Sequence, residues 1–376
     1  MMAHPLSGAD LGTLVRAFRA GGSPDRIRTA AAIWAAALGR APVSALEALA
    51  LAPFLPATAD LAPPVFILGH WRSGTTHLYN TMSRDAGFAH VPPIPVGLPW
   101  DMFGIARVLR PMLERALPEH RWIDRIPVTP TSPQEDEVAI ASMTDLSFYH
   151  GIYFPRRFDA LIDRGLFFDG CSERETARWE RRFTYFLRKL ALAQGGRPLL
   201  VKNPVYTARV ARLRRLFPQA KFIHIHRNPL EVFLSMQNFY RRLLDVLALQ
   251  GVPPGLDIDA TILRVYDRMM TRFVRETRDL PPDALVELPY AELDRDPLGA
   301  VAYIYQSLEL DGFEAARPAF EAYLDSVRDF PKNAFRADPA TVALVERHWG
   351  GWIERWGYGA ADWSPASADP AARAVP

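Results

Sequence analysis

Val65-Phe-Ile-Leu-Gly69 is a short apolar run ending on glycine, and His70-Trp-Arg-Ser-Gly74-Thr75-Thr76 follows at once. An apolar run of this length, closed by a glycine, reads as a strand buried on both faces. Helical character resumes over Thr76–Asp85. A strand that passes through a glycine loop into a helix aims backbone N–H groups and the positive helix end at one spot, which attracts an anion. The alternation then recurs. Pro198–Lys202, Lys221–His226 and Ala284–Leu288 read as strands, and Val205–Leu216, Leu230–Leu249 and Pro297–Leu308 as the helices that follow them. Strands alternating with helices of this length predict an α/β fold: a P-loop-like parallel sheet flanked by helices.

The rest of the chain is arranged around that pattern. Residues 1–62 read as an N-terminal helical segment, with helix starts at Ser23-Pro24 and at the capping-box sequence Ser44-Ala-Leu-Glu47. Pro63-Pro64 ends it, and the α/β domain runs over 63–360. Residues 88–195 break the alternation, with prolines crowding 92–99 and 127–133 and aromatics crowding Phe148–Phe158. This stretch is expected to form helical insertions over the active face. Residues 361–376, rich in Ala, Pro and Ser, read as a loose tail.

Charge and cysteine content limit the partners. A formal net charge of +2 leaves no general surface for a polyanion, so nucleic acid is not expected. Cys171 is the only cysteine, which excludes an intrachain disulfide and a cysteine metal cage and suits a reducing compartment. The first residues lack a basic start followed by an apolar core. The uncharged stretches Thr29–Gly39 and Ala48–Ala59 are each too short to cross a bilayer. A soluble, cytoplasmic protein is expected, with peripheral membrane contact left open and the oligomeric state unread.

Three predicted strand ends carry cations. Gly69–Gly74 has the glycine spacing of a Walker A loop, but Thr75 stands where the Walker lysine belongs and the cation lies inside the loop, at Arg72. A nucleotide triphosphatase would also need an acid at a strand end to hold Mg²⁺, and the strand ending at His226 runs into Arg227 instead. Arg227-Asn228-Pro229 opens a helix with Ser235 two turns along it, a fork and a hydroxyl suited to a second phosphate. Lys202 closes the third strand. Alone, each has a plain structural reading: a tight strand–helix turn, a salt-bridged arginine, a lysine reaching solvent. Together they fall on one edge of a parallel sheet, where such sheets bind ligands. His224 and His226 share a strand face without a third ligand and are expected to be packed or hydrogen-bonded.

These segments, in this order, resemble the sulfotransferase superfamily, and its bacterial branch related to tyrosyl-protein sulfotransferases in particular. Val65–Asp85 is similar to the superfamily's 5′-phosphosulfate loop, and Lys221–Ser235 to its 3′-phosphate motif. Val201-Lys-Asn-Pro204 resembles the lysine element of that branch. Leu288-Pro-Tyr290-Ala-Glu-Leu293 resembles the segment whose tyrosine lies near the nucleotide. Ser132-Pro-Gln-Glu135-Asp136-Glu137 looks like a segment of a large bacterial group. The resemblance spans roughly 63–335. The chain departs from it at Ala291, which follows the tyrosine, and in lacking the glycine-rich closing motif, of which Pro331-Lys332-Asn333 is at most a reduced version.

The resemblance implies transfer of a sulfuryl group from 3′-phosphoadenosine-5′-phosphosulfate (PAPS) to a hydroxyl or amine, releasing 3′,5′-ADP (PAP), in line and without metal. Arg72 and Lys202 would neutralise the transferring group and the leaving phosphate. The amides of Ser73, Gly74, Thr75 and Thr76 would cradle the 5′-phosphate. Arg227 and Ser235 would hold the 3′-phosphate, with Tyr290 and Lys332 near the nucleotide. The acceptor's proton calls for a base. Glu135 leads, then Asp136 and Glu137, with His90 as the other candidate. As a plain feature, this acidic triplet after Pro133 would be a solvated first turn of a helix. The acceptor stays open among small molecules, carbohydrates and lipids. The competing readings are a Mg²⁺-dependent P-loop kinase or nucleotidase acting on a small molecule, and a nucleotide- or lipid-binding module without catalysis.

Overall fold

The computed structural model describes residues 4–119, 127–329 and 337–359. Lys332 and the 361–376 tail lie outside the described residues. Four parallel strands, β1 (Val65–Leu68), β2 (Leu200–Lys202), β3 (Lys221–His226) and β4 (Leu285–Pro289), lie in the order β2-β1-β3-β4. Side chains alternate across the sheet. Val65, Ile67, Leu200, Ile223, Ile225, Val286 and Leu288 pack under the helices Thr75–Met82, Pro297–Ser307 and Phe313–Ser326. Phe66, Leu68, Val201 and Phe222 face the opposite layer, which joins the Val210–Leu216 and Pro229–Leu247 helices to most of the described insertion and to the N-terminal segment. Both faces are thus covered, as a parallel sheet requires.

The chain leaves β1 toward β2 on one side and leaves β3 toward β4 on the other. The carboxyl ends of β1 and β3 therefore flank a topological switch point, where the diverging connections open a crevice. Register sets what meets there. His226 pairs with Pro289, so Arg227 and Tyr290 leave the sheet side by side. Ile67 pairs with Lys202, which brings the lysine to the base of the β1 loop.

The N-terminal segment differs from its sequence reading. Its second helix runs unbroken from Ile27 to Leu51 with Pro42 inside it. Ser23-Pro24 starts no helix, and Ser44 and Glu47 form no capping box. Ser44 instead donates to Asp101 and to the Arg40 carbonyl. Glu47 is buried against Lys189 at 2.7 Å and accepts the amides of Phe103 and Gly104 at 3.0 and 2.6 Å. Lys189 also donates to the carbonyls of Pro99 and Trp100, at 2.8 and 3.1 Å. This satisfied buried ion pair fastens the N-terminal helix to the insertion. Pro42 is tolerated on the exposed side of the helix, where Leu38, whose carbonyl loses its helical partner, is exposed as well. The uncharged stretch Thr29–Gly39 and the start of Ala48–Ala59 therefore belong to one 25-residue helix, which is long and apolar enough by length and composition to cross a membrane.

Candidate active site

The β1 loop is shaped by three left-handed backbone positions: Gly69 at φ 138°, Arg72 at φ 71° and Gly74 at φ 96°. A Cβ on Gly69 would lie 2.4 Å from the Ile225 carbonyl oxygen, so only glycine lets the loop cross β3 this closely. A Cβ on Gly74 would lie 2.2 Å from the ring of Tyr290. Arg72 has no such exemption, and its conformation carries strain of about 1–2 kcal/mol. The loop's entrance is fixed by Thr207, which accepts the Gly69 amide at 2.8 Å. Ser73 turns inward: its amide and its hydroxyl both donate to the His70 carbonyl, at 3.2 and 2.7 Å. Gly74 opens the Thr75–Met82 helix with no side-chain cap, which leaves the positive helix end directed at the crevice.

The predicted anion groups meet there. Arg72 Nε donates to Ser235 Oγ at 2.7 Å, joining the loop after β1 to the helix after β3 across the switch point. Arg227 lies 4.6 Å over the Tyr290 ring and is held by Glu231 at 2.6 Å, one helical turn on. Tyr290 donates to Asp294 at 3.1 Å, and burial pushes its phenol up to about 12, so it remains a neutral donor. Lys202 is buried at the end of β2, where it donates to Thr76 Oγ1 at 3.1 Å and pairs with Glu135.

The acidic triplet splits. Asp136 and Glu137 are not a solvated first turn; both are fully buried. Asp136 accepts from Tyr206 and from Asn203 Nδ2, the latter at 2.9 Å. Glu137 accepts from Asn203 at 2.9 Å, from Ser147 at 2.7 Å and from the Phe148 amide at 3.0 Å. Burial pushes the Asp136 carboxyl up to about 7 and also raises that of Glu137. Their oxygens are occupied by structural partners, whereas Glu135 turns to Lys202. His90 is placed elsewhere: its Nε2 donates to the Thr131 carbonyl at 2.9 Å, and burial lowers its basicity. His224 stacks on Phe273 with centroids 3.9 Å apart and meets Glu287 at 2.9 Å, while His226 stacks on Trp356 at 4.9 Å. Both are packed, as expected.

Sequence reasoning missed Thr207 and the role of Asn203. Asn203 gave a signal: an asparagine before proline at a strand end is a turn-former whose side chain seeks nearby partners. Thr207 gave none.

The loop after β1 and the helix after β3 are thus joined by a hydrogen bond at the switch point of a parallel sheet, beside the Lys202–Glu135 ion pair, in an α/β protein. The chain belongs to the sulfotransferase family, whose model matches residues 63–315, and it is a transferase. It is 31% identical over 319 residues to the omega-hydroxy-beta-dihydromenaquinone-9 sulfotransferases of Mycobacterium bovis and Mycobacterium tuberculosis, covering 82% of this chain and 79% of theirs. The fold is shared with two solved sulfotransferases. One, from Mycobacterium tuberculosis, is 19% identical, with 91% of each chain covered and a TM-score of 0.59. The other, from Mycobacterium avium, is 16% identical, with 82% of this chain and 81% of that one covered and a TM-score of 0.64.

Proposed function

We propose that the protein moves a sulfuryl group from PAPS to a hydroxyl on a lipid-like, prenylated acceptor and releases PAP. The observation that carries the donor half is the Arg72–Ser235 hydrogen bond, which sets a guanidinium between the two anion motifs at the switch point. A donor with a phosphosulfate at one end and a 3′-phosphate at the other matches that pair. The acceptor half is supported by the relatives, whose name specifies an omega-hydroxylated dihydromenaquinone.

The acceptor oxygen forms a bond to sulfur as the bond from sulfur to the 5′-phosphate oxygen breaks, and that oxygen leaves on PAP with the electron pair. Arg72, Lys202 and the uncapped helix start stabilise the charge on the peripheral and leaving oxygens; a single such donor is commonly worth on the order of 10²–10³ in rate. Arg227 and Ser235 hold the 3′-phosphate, with Tyr290 beneath Arg227. Glu135 takes the acceptor's proton. Its pairing with Lys202 holds the carboxylate beside the transferring group.

Calorimetry without metal tests the donor: PAP binds and ATP does not. Tight ATP binding with none for PAP would refute the reading. Transfer of ³⁵S from PAPS to farnesol and to a short-chain omega-hydroxylated prenylquinone tests the acceptor. Label on water-soluble sugars and phenols, with none on either prenyl probe, overturns that half.

A further inference from the structure

We propose that the outward face of the Ile27–Leu51 helix docks the protein on the surface of an anionic lipid bilayer. The helix is inverted relative to a normal surface helix, whose exposed stripe is polar. Its inward side is committed: Ala30, Ile33 and Ala37 are buried in the core, Glu47 pairs with Lys189, and Arg40 is held by Asp101 and by the carbonyls of Ser7 and Ala9. The exposed positions recur every three or four residues. They are Ile27, Leu38, Leu46 and Leu49, with Ala31, Ala35, Pro42 and Ala45 between them. Leu38, Leu46, Leu49 and the nearby Phe54 are 65–74% exposed. Solvent gives no reason to line a face of this length with leucine, and nothing within the described chain covers it.

The patch extends sideways. Because Glu47 holds the Phe103 and Gly104 amides, the segment that follows begins against this helix and presents Val108 and Met112, which are 78% and 57% exposed. A span is ruled out by the packing, since one side of the helix is bound to the protein along its length. A helix of 25 residues, about 37 Å long at ~1.5 Å per residue, that shows apolar side chains on one side only lies flat in an interface.

Charge selects the bilayer over other apolar occupants. Between Arg26 and Leu55 the single carboxylate is Glu47, and it is buried, whereas Arg26 and Arg28 are exposed at the helix start. Arg107 and Arg115 flank the second patch, together with Arg110, which pairs with Glu114 at 2.7 Å. An apolar face edged by arginines fits acyl chains beneath anionic headgroups. The proposal rests on the lipid-acceptor reading for its use: an enzyme that draws a prenylated substrate from a bilayer gains by lying on it.

Flotation of the full chain with vesicles, in the absence of donor and acceptor, is the test. The protein is expected to float with phosphatidylcholine vesicles containing phosphatidylglycerol and to do so less with phosphatidylcholine alone. The triple substitution Leu38→Ser, Leu46→Ser, Leu49→Ser alters exposed positions, so its thermal midpoint and PAP affinity should match the wild type. Its partitioning should fall on the order of 100-fold. Arg26→Gln with Arg28→Gln should remove most of the preference for phosphatidylglycerol. Failure of the wild type to float with either vesicle, or equal flotation of the triple variant, overturns the proposal. So does light scattering that shows a wild-type dimer converted to monomer by the triple substitution while neither floats, which assigns the face to a second copy. PAP calorimetry on the same samples reads the donor site separately, so loss of one reading is distinguishable from loss of the other.

Discussion

Replacing Gly74 with alanine tests the tightest contact in the site. The new Cβ would stand 2.2 Å from Cδ2 and 2.7 Å from Cε2 of Tyr290, at a backbone φ of 96°. The left-handed conformation alone costs about 1–2 kcal/mol in a residue with a side chain, and an overlap of this kind in a packed region adds about 1–3 kcal/mol. The sum, a loss of about 2–5 kcal/mol, is readable as a shift in the urea midpoint at constant slope. The ring cannot move without disturbing Arg227, 4.6 Å above it, and its own bond to Asp294. PAP affinity, measured by calorimetry, should therefore drop roughly 10- to 100-fold. The decisive sample is the double variant Gly74→Ala, Tyr290→Ala. Without the ring the overlap disappears and only the backbone cost remains, so the two substitutions should be less damaging together than their sum by about 1–3 kcal/mol. Strict additivity would refute the claim that this glycine exists to admit the tyrosine.

Three further outcomes are expected. Glu135→Gln keeps a hydrogen bond to Lys202 and should leave PAP affinity within about threefold while lowering kcat on the prenyl probe by about 10²–10⁴; a kcat near wild type would remove Glu135 as the base. Arg227→Ala should weaken PAP roughly 10- to 100-fold and leave 5′-AMP nearly unchanged by calorimetry, whereas equal losses would take Arg227 off the 3′-phosphate. His70 is buried and its basicity is lowered to about 4, chiefly by desolvation. The folded state keeps it neutral while the unfolded chain protonates it below about 6.5, so its contribution is full above that pH and is lost as pH falls toward 4, by up to about 1.4 kcal/mol per unit. His70→Gln should make stability fall less steeply over that window, and an unchanged slope would show that His70 is protonated in the fold.

Much of the sheet could be read from local pattern. Lys221–His226 was legible to the residue because apolar residues alternate there under a proline-started helix, and Gly69 and Gly74 marked the loop because their conformations exclude side chains. The acidic triplet was not legible. Three consecutive acids after a proline look alike in one dimension, and only Asn203 and Tyr206, from another part of the chain, decide which two are buried. The unbroken N-terminal helix was hidden for a related reason. Pro42 and the Ser44–Glu47 pattern are strong local signals, but the buried Glu47–Lys189 pair spans 142 positions and outweighs them.

The burial of Asp136 bears on how the reacting groups come together. Consecutive Cα atoms are separated by about 3.8 Å, so Glu135 hangs one peptide from an anchor sunk in the protein interior. No hinge intervenes between that anchor and the carboxylate. The segment that carries Glu135 is thereby keyed to the end of β2 through Asn203, the residue next to Lys202. On the roles proposed above, the proton acceptor is in register before either substrate arrives, and the acceptor side can be reshaped by changes in the insertion as long as the Asp136 contacts with Asn203 and Tyr206 are kept.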